Sequence, residues 1–231
     1  MQTTMKPTSN QYTIISGGLH RLRINSKCHQ RVVVIRDASG SMHGDKEREA
    51  SEATQAICQE LALPVNKDAF WLAVVDFAEE AGVVHELEKA TTLAGHLGPL
   101  EAGKFGATTN ITAGINLACH ILERASGASE GDWIRYLKPT CLLFSDGGHN
   151  EGPSPIPVAE RLKAMADVVS VAFGDDADEK TLQQIATSDQ HFVRCASGAE
   201  LRRFFAQVGA TLTQTMAAGR NATVALGNLQ H

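Results

Sequence analysis

Three oxygen-bearing side chains stand at alternate positions in RVVVIRDASGSMHG, residues 31–44: Asp37, Ser39 and Ser41. In a loop that is still nearly extended, alternate residues point the same way, so one carboxylate and two hydroxyls can converge on one point. A set made only of oxygens suits a hard cation such as Mg²⁺, which takes octahedral geometry and keeps several waters. One five-residue loop cannot complete such a shell, so other segments must contribute. Two candidates follow: Thr109 in FGATTNITAGINLA (105–118) and Asp146 in CLLFSDGGHNEG (141–152), the latter directly after an apolar run.

The elements that must position these groups are legible around them. Val32 to Ile35 form an apolar, β-branched run, short enough for a strand buried on both faces. After Gly44 the pattern turns helical. The point of convergence therefore lies between the carboxyl end of a strand and the start of a helix, where open α/β sheets bind ligands. The spacing predicts a first central strand at 31–36 and a helix over 45–61, with Ala50, Ala53, Ile57 and Leu61 on one face and Pro64 as its stop. A strand at 70–78 and a hairpin partner at 82–87 come next, then a short helix and turn within 91–102. Gly103 and Gly106 mark the loop to Thr109, and Ile111, Ile115, Ala118, Cys119 and Leu122 share the apolar face of the helix after it. A polar connection (126–138) leads to a strand at 140–145, which delivers Asp146. Beyond it the pattern reads helix 157–166, strand 167–174, short helix 178–187, short strand 191–195 and a last helix from Gly198. Such alternation implies a parallel sheet covered on both faces. Residues 12–26 hold two short apolar stretches around Gly17–Gly18, compatible with a hairpin or an added edge strand.

DASGSM, ATTNITAG and FSDGG, in that order, resemble the metal-ion-dependent adhesion site of von Willebrand factor type A (VWA) domains. That family's pattern is D-x-S-x-S, a threonine in a G-G-T-like turn and an aspartate in T-D-G. Asp37, Ser39, Ser41, Thr109 and Asp146 match it residue by residue. The resemblance implies a doubly wound, mostly parallel six-stranded Rossmann-like sheet, with helices on both faces and one antiparallel edge strand. It divides the chain into an N-terminal extension (1–30), the VWA domain (31–217) and a C-terminal tail (218–231). The stretches GDWIRYLKPTCLLFSDGG, VVSVAFGDDADEKTLQQIA and ELRRFFAQVGATL narrow it towards the bacterial tellurium-resistance TerY-like group.

The family's chemistry is then implied here. Ser39, Ser41 and Thr109 would give neutral oxygens to Mg²⁺ or Mn²⁺, with Asp37 and Asp146 acting directly or through water. An ion touched by few anionic oxygens stays electrophilic and seeks a Glu or Asp carboxylate from a partner protein. His43, Gly147 and His149 fall on the rim where such a partner would sit. The resemblance implies a docking module rather than an enzyme, in a bacterial stress-response, tellurium-resistance-like or phage-defence system, with a kinase, a phosphatase or an AAA ATPase as partner. Two alternatives remain. An accessory subunit of an AAA ATPase or chelatase uses such domains too. A Mg²⁺-dependent phosphohydrolase commonly needs a second carboxylate close to the first, and here the positions two and four beyond Asp37 are serines.

The rest of the composition bounds the reading. A net charge of −5 gives no electrostatic reason for a nucleic-acid or anionic-membrane partner. The N-terminal stretch lacks the apolar core of a secretory signal. The five cysteines are scattered without a CxxC pair. That pattern suits reduced, buried thiols in a cytoplasmic protein better than a zinc site. Arg36 and Asp76 are expected to pair across adjacent strands, because a lone buried charge is costly. The acidic run 174–179 reads as a solvated turn.

Overall fold

The computed structural model describes residues 28–126 and 134–229. The GDW triplet and the two apolar stretches near the N-terminus lie outside the described residues. Strand β1 (Cys28–Asp37) is the middle of the sheet. Alternation along it sends Val32 and Val34 to one face and Val33 and Ile35 to the other, and all four are fully buried. A strand apolar on both faces must be covered on both.

The other strands are β2 (Phe70–Phe77), β3 (Ala81–Lys89), β4 (Arg135–Tyr136), β5 (Thr140–Ser145), β6 (Asp167–Phe173) and β7 (Phe192–Cys195). The sheet order is β3-β2-β1-β5-β6-β7, with β3 antiparallel at one edge and the remaining pairs parallel. The two-residue β4 lies off this path beside the start of β1, inside the segment whose composition gave only a polar connection.

Helix α1 (Asp45–Leu61) and helix α6 (Gly198–Ala217) cover one face together. Ala50, Ala53, Ile57 and Leu61 of α1 and Leu201, Phe205, Val208 and Leu212 of α6 are all in that core layer. The opposite layer takes α3 (Ile111–Ser126), α4 (Ile156–Met165) and α5 (Glu179–Ile185). The short helix expected within 91–102 shrinks to α2 (Ala90–Leu93). Gly95, Gly98 and Pro99 follow it, and none of them favours continuing a helix. Helix α7 (Thr223–Gly227) packs back through Ala222 and Leu226, and Thr223 Oγ1 donates to Asp167 Oδ2 at 2.7 Å. This architecture is a mixed, mostly parallel sheet with one antiparallel pair and helices on both faces.

Candidate metal centre

Register brings the first pieces together. β1 pairs with β5 so that Arg36 stands opposite Phe144, and the next residues, Asp37 and Ser145, end their strands side by side. The Ser145 hydroxyl donates to Asp37 Oδ2, and the Ser39 N–H donates to Asp37 Oδ1 at 2.9 Å. Ser39 is extended, but Gly40–Met42 closes into a single 3-10 turn. The loop is therefore not extended throughout, as alternation alone predicts. Met42, fully buried, and a bond from the Gly40 N–H to Ala107 O (3.1 Å) pull it round. The two serine hydroxyls still meet: Ser39 Oγ and Ser41 Oγ are 3.1 Å apart. Ser41 Oγ then donates to Asp146 Oδ1 at 2.7 Å, so that Ser39, through its N–H and its hydroxyl, and Ser41 link the two carboxylates. Gly44, at φ +88°, makes the sharp entry into α1 that a residue with a Cβ would resist.

Thr109 arrives on a separate loop. Its N–H donates to Asn150 Oδ1 (2.8 Å), and the Asn150 N–H donates back to Thr109 O (3.0 Å). The loop reaches this place because Gly106, at φ +112°, passes against Glu79, where any Cβ would lie 2.4 Å from the Glu79 Cβ. A Cβ built on Gly147 would lie 3.9 Å from both Ser41 Oγ and Thr109 Oγ1. These two hydroxyls, 68 residues apart in sequence, therefore border the same space. Thr109 does not cap α3. That role belongs to Asn110, whose Oδ1 accepts from the Ala113 N–H at 3.1 Å.

The electrostatics follow from burial. Asp37 and Asp146 are both buried, and burial pushes the Asp37 carboxyl up to about 6. Its hydrogen bonds from Ser145 and Ser39 pull the other way, and the nearby charge of Asp146 pushes it further up. A cation is the natural complement to two buried carboxylates and three hydroxyls. The donor set, oxygens only, fits a hard divalent ion.

The rim residues divide. His43 is exposed, with its ring against Gly103, and Gly147 borders the hydroxyls. His149 is not an exposed loop side chain. It is half-buried, and its Nδ1 accepts from the Ile111 N–H at 3.2 Å, anchoring the start of α3. Sequence reading passed over three neighbours: Ser145, Asn150 and Lys46, whose Nζ lies 2.5 Å from Asp146 Oδ2. Ser145 could have been suspected, since it immediately precedes Asp146 at a strand end. The other two carry no local signal. The acidic run resolves as expected of a turn. Asp178 caps α5 through the Thr181 N–H (3.1 Å), and Asp175 and Glu179 meet Arg194 at 3.2 and 3.1 Å.

A second potential metal-coordinating cluster, His85, Glu88 and His96, brings its ligand atoms within 4.8 Å of one another. His85 Nε2, however, already accepts from the Gly98 N–H at 2.8 Å, which leaves the neutral ring's proton on Nδ1, the atom facing Glu88. Binding an ion through Nε2 would cost the bond from Gly98, and Nδ1 stands 3.9 Å from Glu88 Oε1.

The model of the von Willebrand factor type A domain family matches residues 32–207. The chain belongs to that family. VWA domains are characteristically non-catalytic interaction modules, and this one is a protein–protein interaction module. No curated protein matches the chain in sequence. Among solved structures, it resembles proximal thread matrix protein 1 from the mussel byssus (22% identity, TM-score 0.62, 79% of this chain and 47% of that one). A crystal form of the same mussel protein with a zinc-occupied MIDAS motif gives 20% identity, a TM-score of 0.64 and coverage of 80% and 48%. The VWA protein of Catenulispora acidiphila gives 22%, 0.64, 80% and 43%. The chain thus spans under half the length of these relatives, and at such identities they speak for the VWA fold alone. Among the described residues, no helix is long and apolar enough to cross a membrane.

Proposed function

We propose that this VWA domain docks a partner protein by its Glu or Asp carboxylate, through a Mg²⁺ or Mn²⁺ ion held by Asp37, Ser39, Ser41, Thr109 and Asp146. The observation that carries this reading is the chain of contacts from Asp37 through Ser39 and Ser41 to Asp146, with Thr109 bordering the same space. When bound, the ion supplies a positive centre that a partner's carboxylate can complete. The chain's own residues do the rest. Asp37 and Asp146 provide charge, the hydroxyls provide neutral oxygens, and Gly147 keeps the approach clear. Asn150 and His149 fix the Thr109 loop and the start of α3.

The setting proposed is a cytoplasmic one of the TerY-like kind, with a kinase, phosphatase or AAA ATPase as the partner. Its support is the pattern of the stretches 131–148, 168–186 and 200–212, within a resemblance that covers residues 31–217. The test is co-purification from a cell extract of the source organism, with and without EDTA. Partner binding should need divalent metal and should fail in Thr109→Ala. Binding that survives EDTA, with the protein folded and the metal shown to be gone, sinks the docking mechanism. Phosphatase turnover that is lost in Asp37→Asn would favour the hydrolase instead.

A further inference from the structure

We propose that Lys46 is a tethered cation that holds Asp146 in the metal-free protein and competes with a divalent ion for it. This inference rests on the metal-docking reading above and says how that site is regulated. The Lys46 ammonium lies 2.5 Å from Asp146 Oδ2, while Ser41 Oγ donates to Oδ1, so both carboxylate oxygens are engaged from within the chain. The two engagements differ in kind. A hydroxyl that donates its proton to Asp146 keeps lone pairs for an ion. An ammonium has none, and its charge repels a second cation at the same carboxylate.

Lys46 is also poorly placed for its own helix. It sits in the first turn of α1, where the helix dipole favours acids, as Asp45 and Glu47 on either side of it illustrate. The attraction of Asp146 accounts for a cation there. The pair is asymmetric as well: the Asp146 side chain is fully buried, and that of Lys46 is 32% exposed. The carboxylate is fixed and the ammonium is free to swing into water. Gly174, just past β6, lies beside the lysine stem: a Cβ built there would be in ordinary contact with Lys46 Cε, at 3.7 Å. In the metal-free state Lys46 thus compensates a buried charge. On loading it must leave, which sets the site to fill only at higher free ion concentration.

The experiment compares the full chain with K46M, which keeps the apolar stem, and K46R, which keeps the charge. Each is stripped with EDTA and titrated with Mn²⁺ by calorimetry, and each is melted with and without Mn²⁺. K46M should bind Mn²⁺ about tenfold more tightly, a difference of charge partly screened by solvent. It should melt lower than wild type in EDTA and gain more in melting temperature on adding Mn²⁺. K46R should stay near wild type. If K46M does not melt cooperatively, K46Q, which offers Asp146 a neutral donor, gives the same reading. Equal or weaker Mn²⁺ affinity in the uncharged variant overturns the role of Lys46 and leaves the metal site standing. Absence of Mn²⁺ binding in both wild type and the uncharged variant, with both folded, overturns the metal site and this inference together.

Discussion

Two clusters of buried charge sit side by side where β1 leaves the sheet, and they have been solved in opposite ways. Arg36 and Asp76 stand opposite each other in the β1–β2 register and form a closed pair, Nε to Oδ1 at 2.6 Å and Nη2 to Oδ2 at 3.0 Å. Burial still raises the Asp76 carboxyl, with Arg36 holding it back. The remaining guanidinium donors reach Gly98 O (3.4 Å) and Pro99 O (3.3 Å), pinning the loop after α2. One residue further on, Asp37 and Asp146 have hydroxyls, a backbone N–H and a single ammonium. The first cluster is neutral and complete, so it holds structure. The second carries one negative charge more than its partners cancel, so it can receive something.

Breaking the closed pair should have the largest effect. Arg36→Met leaves Asp76 buried without its partner and should cost about 3–5 kcal/mol in urea unfolding. The double variant Arg36→Met/Asp76→Leu should recover most of that loss. If Arg36→Met and Asp76→Asn were each harmless, the pair would not be what holds this edge.

The open cluster should respond in the reverse sense. Asp37→Ala or Asp146→Ala should keep a cooperative fold and abolish Mg²⁺ or Mn²⁺ binding. Calorimetry showing wild-type affinity in both variants would refute the ligand assignment, and with it the contrast between the two clusters.

A third carboxylate calibrates the small end. Asp178 caps α5 at the surface, and the Thr181 hydroxyl and N–H hold its carboxyl below the usual range. Asp178→Ala should cost about 1 kcal/mol at neutral pH. A carboxyl lowered on folding lends stability above its unfolded pKa and loses it as the pH falls through the folded one. The gap in melting temperature between wild type and Asp178→Ala should therefore shrink on acidification below the ordinary carboxylate range. A gap that widens in acid would show that the charged form is not what caps the helix.

What the sequence determined is local. The apolar run of β1, the period of α1 and the i, i+2 spacing of Asp37, Ser39 and Ser41 depend on neighbours in the chain, and periodicity reports those directly. Three separated motifs, each at a strand end or a helix start, made the fold and the candidate ligands readable before any coordinates. The pairing of Arg36 with Asp76 was readable too, because a buried charge demands an answer and the adjacent strand held one. What only the tertiary structure decided lies between segments. The Ser145 hydroxyl on Asp37 spans 108 residues and the lysine on Asp146 spans 100. Both depend on strand register and on where the start of α1 falls beside the end of β5, which sequence spacing does not encode. The same holds for His149, placed on the rim by its motif and in fact anchoring the start of α3 through the Ile111 N–H. Thr109, whose hydroxyl borders the same space as that of Ser41, is held by an exchange of hydrogen bonds with Asn150, 41 residues away, which no local rule supplies.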